Sequence, residues 1–417
     1  MRQIEGSQAV AEAVAACRPE VVCAYPITPQ THIVEAIGAM VRTGRLANCE
    51  FINVESEFAA MSVAIGASAA GARAYTATAS QGLLFMAEAV YNAAGLGLPV
   101  VMTLANRAIG APINIWNDHS DAMAVRDAGW VQLFAEDNQA AADLHVQAFR
   151  LAEDLSVPVM VCMDGFVLTH AFEAVEVPTQ EQVDSFLPPY EPRQVLDPDD
   201  PVSIGAMVGP EAFEEVRYLQ HAKLVRALEK IPQVAEEFYH SFGRYAGGLV
   251  SPYRTDDAHT VVVAMGSVVG TLKDIADQLR QKGQKVGVLG ITTFRPFPAA
   301  AVREALWGAR VVVVVEKAFS TGFGGVLSTD VATAMGPLRA PIATVVAGLG
   351  GRPVNAASLA ALIEGSERGS LEKVTFLDLN RPVVDRELER MGARRRSGPS
   401  AENMLRDVAS QAAAQEG

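Results

Sequence analysis

The chain has 417 residues, half of them apolar, and a formal net charge of −14. This length suits two domains that each bury a core, and the acidity argues against a nucleic-acid or anionic-membrane surface. The cysteines, Cys17, Cys23, Cys49 and Cys162, form no Cys-x-x-Cys pair, which argues against a disulfide framework and an iron–sulfur or zinc site. No signal segment or membrane span is predicted, so a cytoplasmic location is the default expectation.

Apolar runs alternate with amphipathic stretches in the first part of the chain, which predicts βα units around a parallel sheet. Strands are predicted at 21–24, 51–54, 74–78, 99–104, 131–134 and 158–163. Helices are predicted at 7–16, 32–40, 58–70, 82–94 and 140–152, with Ser7 as the N-cap of the first helix.

The alternation stops after the strand at 158–163, and the region 177–253 is irregular and rich in proline apart from an amphipathic run at 212–240. It is predicted to be a strap that leaves the first domain and wraps on it, because a long structureless excursion inside one unit is unusual. Apolar runs at 261–264, 286–289 and 311–315 begin a second unit. The predicted α/β chain is therefore divided into a first domain (1–185), a strap (186–257), a second domain (258–380) and a partly helical tail (381–417).

The segment Tyr25–Thr31 contains a threonine between two prolines. Each proline fixes φ near about −65°, and the residue before each is pushed toward extended geometry. The Thr28 hydroxyl is therefore expected at a fixed place after the first strand of the sheet. A rigid connection without chemistry is the alternative interpretation of this turn.

Ligands of open α/β sheets bind beyond the carboxyl ends of the strands, and Thr28, Glu57 and Arg107 all follow predicted strands. An arginine at such a position suits a carboxylate, which it takes in two parallel hydrogen bonds. Considered alone, Glu57 could equally be an ordinary carboxylate at a helix N-terminus. Arg107 alone could equally form a structural salt bridge. Their joint position favours a shared site.

The chain resembles the alpha subunit of 2-oxoacid:ferredoxin oxidoreductases, the pyruvate:ferredoxin oxidoreductase family. The resemblance extends from about Glu5 to Val374. It is carried by the segments YPITPQT (25–31), ESEFAAMSVAIGA (55–67), TATASQGLLFM (76–86), NRAIGAPINIWNDHSD (106–121) and DGFVLTH (164–170), and more weakly by 265–267, 294–298 and 348–352.

This resemblance implies a thiamine-diphosphate-binding domain of the pyrimidine type followed by a transketolase C-terminal-like α/β domain. Glu57 would hydrogen-bond the aminopyrimidine ring and so promote proton loss at the thiazolium C2. Arg107 would hold the carboxylate of a 2-oxo acid, and Thr28 would bond its carboxylate or carbonyl.

Further site residues follow from the same resemblance. Gln81 and Gly82, expected on a tight turn at a strand end, would let the backbone approach the pyrimidine, and Pro26 would belong to the same cofactor-binding surface. Ile115 and Trp116 would read the side group of the substrate. The histidines His32, His119 and His170 are expected to be bystanders.

The chain has no Gly-Asp-Gly segment for the metal that grips a diphosphate, and no cysteines spaced for iron–sulfur clusters. No metal ligand is therefore predicted here. The resemblance implies a hetero-oligomer in which a beta subunit holds the diphosphate, Mg²⁺ and a proximal cluster, beside gamma and ferredoxin-like subunits. Together they would convert a 2-oxo acid and coenzyme A to acyl-CoA, CO₂ and two electrons.

Several alternatives stay open at this stage. Pyruvate is the expected substrate, but Trp116 could instead line room for an aromatic 2-oxo acid such as phenylglyoxylate. The chain could be a noncatalytic assembly subunit. A nucleotide-dependent dehydrogenase or a stand-alone thiamine decarboxylase is disfavoured, because neither 320–325 nor 348–352 fits G-x-G-x-x-G and the diphosphate motif is missing. The glycine-rich turn 348–352 is expected to serve helix entry and packing.

Overall fold

A computed structural model describes residues 1–336, 340–366, 372–392 and 400–416, without the side chains of 413–416. It contains two large sheets and a short antiparallel ribbon of β1 (Arg2–Glu5) and β8 (Phe172–Val175). The ribbon was not predicted, because its two strands are only four residues long and lie far apart in the chain.

The first sheet lies at the centre of the first domain. Its strands are β2 (Val21–Ala24), β3 (Glu50–Asn53), β4 (Ala74–Thr78), β5 (Val101–Asn106), β6 (Val131–Phe134), β7 (Val159–Asp164) and β12 (Thr293–Arg295). They are ordered β12-β6-β7-β5-β4-β2-β3, and all neighbours are parallel except β12. Consequently, the carboxyl ends of β2 to β7 open onto one edge, as the predicted site requires.

The helices beside this sheet are α1 (Gly6–Ala16), α2 (Thr31–Arg42), α3 (Glu57–Ala69), α4 (Ser80–Phe85), α5 (Ala87–Leu96), α6 (Ser120–Ala124) and α7 (Asn138–Leu155). The predicted Ser7 cap is wrong: Glu5 is the N-cap, and the Ser7 hydroxyl donates to the Thr169 carbonyl at 2.7 Å. The predicted helix at 82–94 is two helices separated by Met86.

The connecting region contains α8 (Gln180–Phe186) and α9 (Phe213–Phe242). The amphipathic run predicted α9, which packs on α7. A capping box between Thr179 and Gln182 begins α8, a local signal that the sequence interpretation overlooked. Between the two helices an extended segment crosses the first domain, where Leu196 N–H donates to the Ala69 carbonyl at 2.9 Å. No helix in the described ranges is both long enough and apolar enough to cross a membrane.

The second sheet contains β9 (Val250–Tyr253), β10 (Thr260–Ala264), β11 (Val286–Ile291), β13 (Val311–Glu316), β14 (Ile342–Val346) and β15 (Val374–Phe376), ordered β15-β14-β13-β10-β11-β9. The helices that follow are α10 (Val268–Gln281), α11 (Ala299–Ala305), α12 (Leu327–Met335), α13 (Ala356–Ser366), α14 (Arg381–Met391) and α15 (Ser400–Glu416). The four-part division of the chain stays a proposal. β9 lies in the predicted strap yet pairs with the second sheet, and β12 lies in the predicted second domain yet pairs with the first.

The two sheets share an apolar core. Met102 and Phe134 from the first sheet are buried in the same cluster as Val263 from the second and Phe294 from β12. The Phe134 and Phe294 rings meet edge to face with centroids 6.0 Å apart. Burying one side chain of this size stabilises the fold by about 1.5–3 kcal/mol, so the second domain is held firmly enough to contribute loops to the site edge.

Candidate active site

Glu57 is the first residue of α3, behind the N-cap Ser56, whose hydroxyl accepts from Ala59 N–H at 3.2 Å. The Glu57 side chain is buried, with 7% exposed, yet no donor among the described residues bonds its carboxylate. A Cβ added to Gly82 would lie 2.8 Å from Glu57 Oε1 and 2.5 Å from Thr78 Oγ1, which itself is buried without a described partner. The absence of a side chain at Gly82 therefore lets these two polar groups, neither of which has a described partner, pack closely against its backbone.

Gln81 and Gly82 lie in the first turn of α4, so they form a helix start, the alternative to a tight turn at a strand end. Ser80 carries the turn itself, with φ at +49°. Its N–H donates to Asp121 at 3.0 Å. The Gln81 amide nitrogen lies beside the loop that follows β5, 2.8 Å from the position that a Cβ added to Gly110 would take.

Asp121 joins the two loops that carry the predicted residues, a role that sequence reasoning missed. One carboxylate oxygen accepts from the N–H groups of Ser80 and Arg107 at 3.0 and 2.9 Å. The other accepts from the Asn106 amide and Ala122 N–H at 2.9 and 2.8 Å. Burial raises the pKa of Asp121 to about 6, against the lowering effect of these hydrogen bonds.

Arg107 follows β5 and is buried, with 7% exposed. Its Nη1 donates to the Thr28 carbonyl at 2.9 Å and its Nε to the Asn114 carbonyl at 3.0 Å. No carboxylate forms a salt bridge with it in the described part of the chain, which disfavours the salt-bridge alternative. Burial lowers the pKa of this guanidinium. A guanidinium has five N–H donors, so others remain for an anionic ligand.

Hydrogen bonds from the Gln30 side chain hold the turn that carries Thr28 in place. This fully buried side chain donates to the Tyr25 carbonyl at 2.8 Å and to the Ala77 carbonyl of β4 at 3.2 Å. The Thr28 and Pro26 side chains are exposed at the same edge. The local prediction of a rigid turn that presents a hydroxyl therefore agrees with the geometry.

Ile115 and Trp116 are 42% and 51% exposed in the loop after β5. The Trp116 ring lies against Phe166, with ring centroids 4.7 Å apart. A Cβ on Gly351, which has φ of +78°, would lie 2.3 Å from the Trp116 Cβ. The second domain therefore contacts the predicted substrate loop directly.

Hydrogen bonds extend this contact. The Asn114 amide donates to the Gly350 carbonyl at 3.1 Å, and Gly350 N–H donates to Asp118 at 3.0 Å. Gly351 N–H donates to the Asn117 carbonyl at 2.7 Å. The glycine-rich turn 348–352, expected to serve packing, thus also fixes the loop that carries Trp116.

A buried ionic cluster ties the same loop to both domains. Lys317 Nζ donates to Asp164 at 2.7 Å and to the Asn117 amide oxygen at 2.9 Å, and His119 Nε2 lies 2.7 Å from the other Asp164 oxygen. Burial alone would raise the pKa of Asp164, but the charge of Lys317 and then His119 hold it well below its usual range. His119, expected to be a bystander, is a member of this cluster.

The predicted residues therefore form two adjoining groups. Glu57 lies with Gly82, and Arg107 lies with Thr28 and the loop of Trp116. Asp121 connects them, since it accepts from the backbone at both Ser80 and Arg107.

Comparison with known proteins identifies the family of the chain. A family model for the thiamine-diphosphate-binding region of pyruvate flavodoxin/ferredoxin oxidoreductases matches residues 12–236, and one for core domain II of pyruvate:ferredoxin oxidoreductase matches residues 258–359. The chain belongs to the pyruvate:ferredoxin oxidoreductase family. The predicted alpha subunit of a thiamine-diphosphate-dependent 2-oxoacid oxidoreductase is confirmed at this level.

Relatives are similar over most of the chain. Pyruvate synthase subunit PorA of Methanosarcina barkeri is 48% identical over 390 residues, covering 91% of this chain and 97% of its own. Ketoisovalerate oxidoreductase subunit VorA of Pyrococcus abyssi is 40% identical over 372 residues, covering 88% and 93%.

Solved structures share the fold. The 2-oxoglutarate:ferredoxin oxidoreductase of Magnetococcus marinus superposes on 87% of this chain and 64% of its own, with a TM-score of 0.68 and 18% identity. The predicted α/β fold class is thereby confirmed.

Proposed function

We propose that this chain is the alpha subunit of a pyruvate-type 2-oxoacid oxidoreductase and supplies half of its active site. The balanced reaction is pyruvate plus coenzyme A to acetyl-CoA, CO₂, one proton and two electrons, with the electrons passing to iron–sulfur clusters in partner subunits. The observation that carries the proposal is Glu57, a buried residue that packs against Gly82 and whose carboxylate has no hydrogen-bond partner among the described residues.

The polar groups beside Gly82 suit the pyrimidine ring of thiamine diphosphate. An aminopyrimidine presents a ring nitrogen and an amino group, which are the partners that the Glu57 carboxyl and the Thr78 hydroxyl lack. When bound, the cofactor supplies the carbanion-stabilising chemistry, while the protein provides position and charge. Glu57 would hold a proton at the ring nitrogen, acting as an acid–base group through the ring.

Arg107 would orient the substrate. Its guanidinium is already aimed by two backbone carbonyls, so little rotamer freedom is lost when its remaining N–H groups bind a carboxylate. The neighbouring Thr28 hydroxyl would bond the carboxylate or carbonyl oxygen of the same molecule. Orientation of this kind accounts for a large part of enzymatic rate acceleration.

Pyruvate is favoured over an aromatic 2-oxo acid by the position of Trp116. The Trp116 ring lies against Phe166 and its Cβ lies close to Gly351, so the residue would form a wall of the substrate site and limit the room for an aryl group. Ile115 beside it would complete an apolar surface that suits a methyl group. Steady-state rates across pyruvate, branched, 2-oxoglutarate and aryl substrates test this point, and a preference for aryl acids would overturn it.

The proposed complex supplies what this chain lacks. A beta subunit would hold the diphosphate through Mg²⁺ and carry a cluster, with gamma and ferredoxin-like subunits completing the electron path. The exposed side chains of Thr28, Pro26 and Trp116 lie at the edge where such a partner would close the site.

The decisive experiment compares Glu57→Gln with Glu55→Gln in the assembled complex. Glu55 is an exposed carboxylate two residues away and serves as a matched control. Glu57→Gln is expected to assemble normally but to lose about 10²–10⁴-fold in turnover, the usual contribution of acid–base catalysis. Glu55→Gln should leave turnover unchanged. An active Glu57→Gln complex would contradict the assigned role.

Arg107→Ala separates substrate binding from cofactor binding. Loss of charge-assisted hydrogen bonds worth about 3 kcal/mol predicts an increase in KM of about 10²-fold, with thiamine diphosphate retained. The isolated chain is expected to bind no thiamine diphosphate until the beta partner is added. A complex that turns over no 2-oxo acid at all would overturn the proposal.

A further inference from the structure

Three side chains from separate segments meet beside the turn that carries Thr28. Glu5 ends β1, His32 lies in the first turn of α2, and His170 follows β7. One oxygen or nitrogen atom from each lies within 4.8 Å of the other two. His32 Nδ1 is 2.7 Å from Glu5 Oε1, and the two imidazole rings have centroids 4.6 Å apart. We refer to Glu5, His32 and His170 as the two-histidine cluster.

The donor set of this cluster suits a borderline divalent transition metal. Imidazole nitrogen with carboxylate oxygen binds Zn²⁺, Co²⁺ or Ni²⁺, whereas Mg²⁺ and Ca²⁺ prefer oxygen alone. Tetrahedral bonds of about 2.0–2.2 Å separate ligand atoms by roughly 3.4 Å. The widest pair in the cluster must therefore close by little more than about 1 Å, and His32 Nδ1 and Glu5 Oε1, 2.7 Å apart, must separate by about 0.7 Å. Small side-chain rotations achieve both changes, since the His32 side chain is 50% exposed and that of Glu5 23%.

The surroundings of His170 support metal ligation. Its Nδ1 lies 2.7 Å from the Thr169 hydroxyl, which also accepts from Phe166 N–H at 2.8 Å. A hydrogen bond at one ring nitrogen fixes the orientation of an imidazole and leaves the other nitrogen for a metal.

The cluster is connected to the candidate site by ring contacts. His170 contacts Phe166 with centroids 4.8 Å apart, and Phe166 in turn contacts Trp116 at 4.7 Å. His32 directly follows the turn that carries Thr28. An ion bound here would fix three chain segments that border the substrate loops.

We propose that the two-histidine cluster binds one divalent transition-metal ion of the Zn²⁺ class, through one atom each of Glu5, His32 and His170, with water in the remaining position. The ion holds the β1 end, the start of α2 and the turn after β7 together. The ion has this structural role and takes no part in the redox chemistry.

The test uses the full-length chain, freed of metal by chelation and dialysed against Zn²⁺, with bound metal measured by mass spectrometry. His32→Ala, His170→Ala and the double variant are compared with His240→Ala. His240 is a matched control, an exposed histidine 3.2 Å from Glu236 with no second histidine assigned beside it. Co²⁺ absorption of the unmodified chain gives the coordination number without any substitution.

The wild type and His240→Ala are expected to bind one more Zn²⁺ per chain than the double variant, with each single variant weakened at least tenfold. Zn²⁺ should also raise the melting temperature of the wild type and of His240→Ala, and leave that of the double variant unchanged. Equal stoichiometry in the wild type and double variant would overturn the proposal. The proposal would also be overturned if Co²⁺ added to the wild type showed only the weak absorption of the six-coordinate aquo ion. This measurement uses the wild type alone, so it remains decisive even if a variant fails to fold.

Discussion

The Asp121 carboxylate joins the two groups of the candidate site, because it accepts hydrogen bonds from the N–H groups of Ser80 and Arg107. Substitutions that remove its carboxylate oxygens test this role. Asp121→Ala leaves the buried N–H groups of Ser80 and Arg107 without an acceptor. Asp121→Asn keeps one oxygen, which the turn can place toward those two groups. Its amide nitrogen then faces Asn106, whose own Oδ1 has no described partner and can accept after a flip of the side chain.

The magnitudes follow from these contacts. Each unsatisfied buried N–H costs about 1–3 kcal/mol, so Asp121→Ala misplaces the two loops at a cost of about 2–6 kcal/mol. At tenfold per 1.4 kcal/mol, the lower bound is roughly a 30-fold loss in kcat/KM. Asp121→Asn loses only the bond to Ala122 N–H and the charge, and its loss should stay within about tenfold.

Acid stability gives an independent measure. Between about pH 4 and 6 the native Asp121 holds a proton that the unfolded chain has lost, because burial raises its pKa to about 6. Its contribution to the free energy of unfolding therefore falls as pH rises through this window, by about 3 kcal/mol in all. Asp121→Asn removes this slope. The variant should be stabilised relative to the wild type at pH 7 more than at pH 4.

The assay measures kcat/KM, KM and thiamine diphosphate retention of the assembled complex for both variants from pH 5 to 8, with urea unfolding of the isolated chain. Asp121→Ala should impair substrate and cofactor binding together, since both loops share one anchor. An Asp121→Ala complex with wild-type kinetics would refute the reasoning, as would an unchanged pH slope of stability in Asp121→Asn.

Three further predictions concern two glycines that pack closely against side chains of the candidate site and one buried histidine with a lowered pKa. Gly82→Ala should abolish thiamine diphosphate binding while leaving the fold intact, because its Cβ would displace Glu57 and Thr78, as calorimetry on the complex would reveal. Gly351→Ala should shift substrate preference rather than cofactor affinity, since its Cβ would press on Trp116; a change confined to cofactor affinity would contradict this. Burial lowers the pKa of His145 to about 4, so stability should fall by about 3 kcal/mol between pH 6.5 and 4, and urea titration of His145→Gln should lack this loss.

The sequence predicts most of what depends on neighbouring residues. The strand-to-loop order places Glu57 at the start of α3 and Arg107 directly after β5, because apolar runs bounded by turn residues mark both ends. The double-proline turn limits Thr28 in the same local way. Residue roles required the family resemblance as well, since a lone carboxylate at a helix start has no specific meaning.

Local sequence patterns do not predict contacts between distant segments. Lys317 and Asp164 are 153 positions apart, and nothing in either local pattern pairs them. Asp121 lies inside a segment that the resemblance includes, yet its four hydrogen bonds depend on how two loops fold back on α6. Similarly, Ser7 has the residue type of a cap, but a strand ending at Glu5 shifts the helix start and turns its hydroxyl toward Thr169.

The second domain has a greater part in the site than its lack of predicted catalytic residues suggests. The loop between Arg107 and Asp121 receives hydrogen bonds from Gly350 and Gly351, and its far end is fixed by the buried charge of Lys317. A lysine placed in such a core is costly unless it is fully paired, and here Asp164 and the Asn117 amide pair it. Because the same residues that join the domains also position Trp116, a change in domain packing would reach the substrate pocket without altering any residue that contacts substrate. We therefore predict that substitutions in the 348–352 turn alter the substrate preference of the assembled complex, as well as substitutions in the proposed pocket itself.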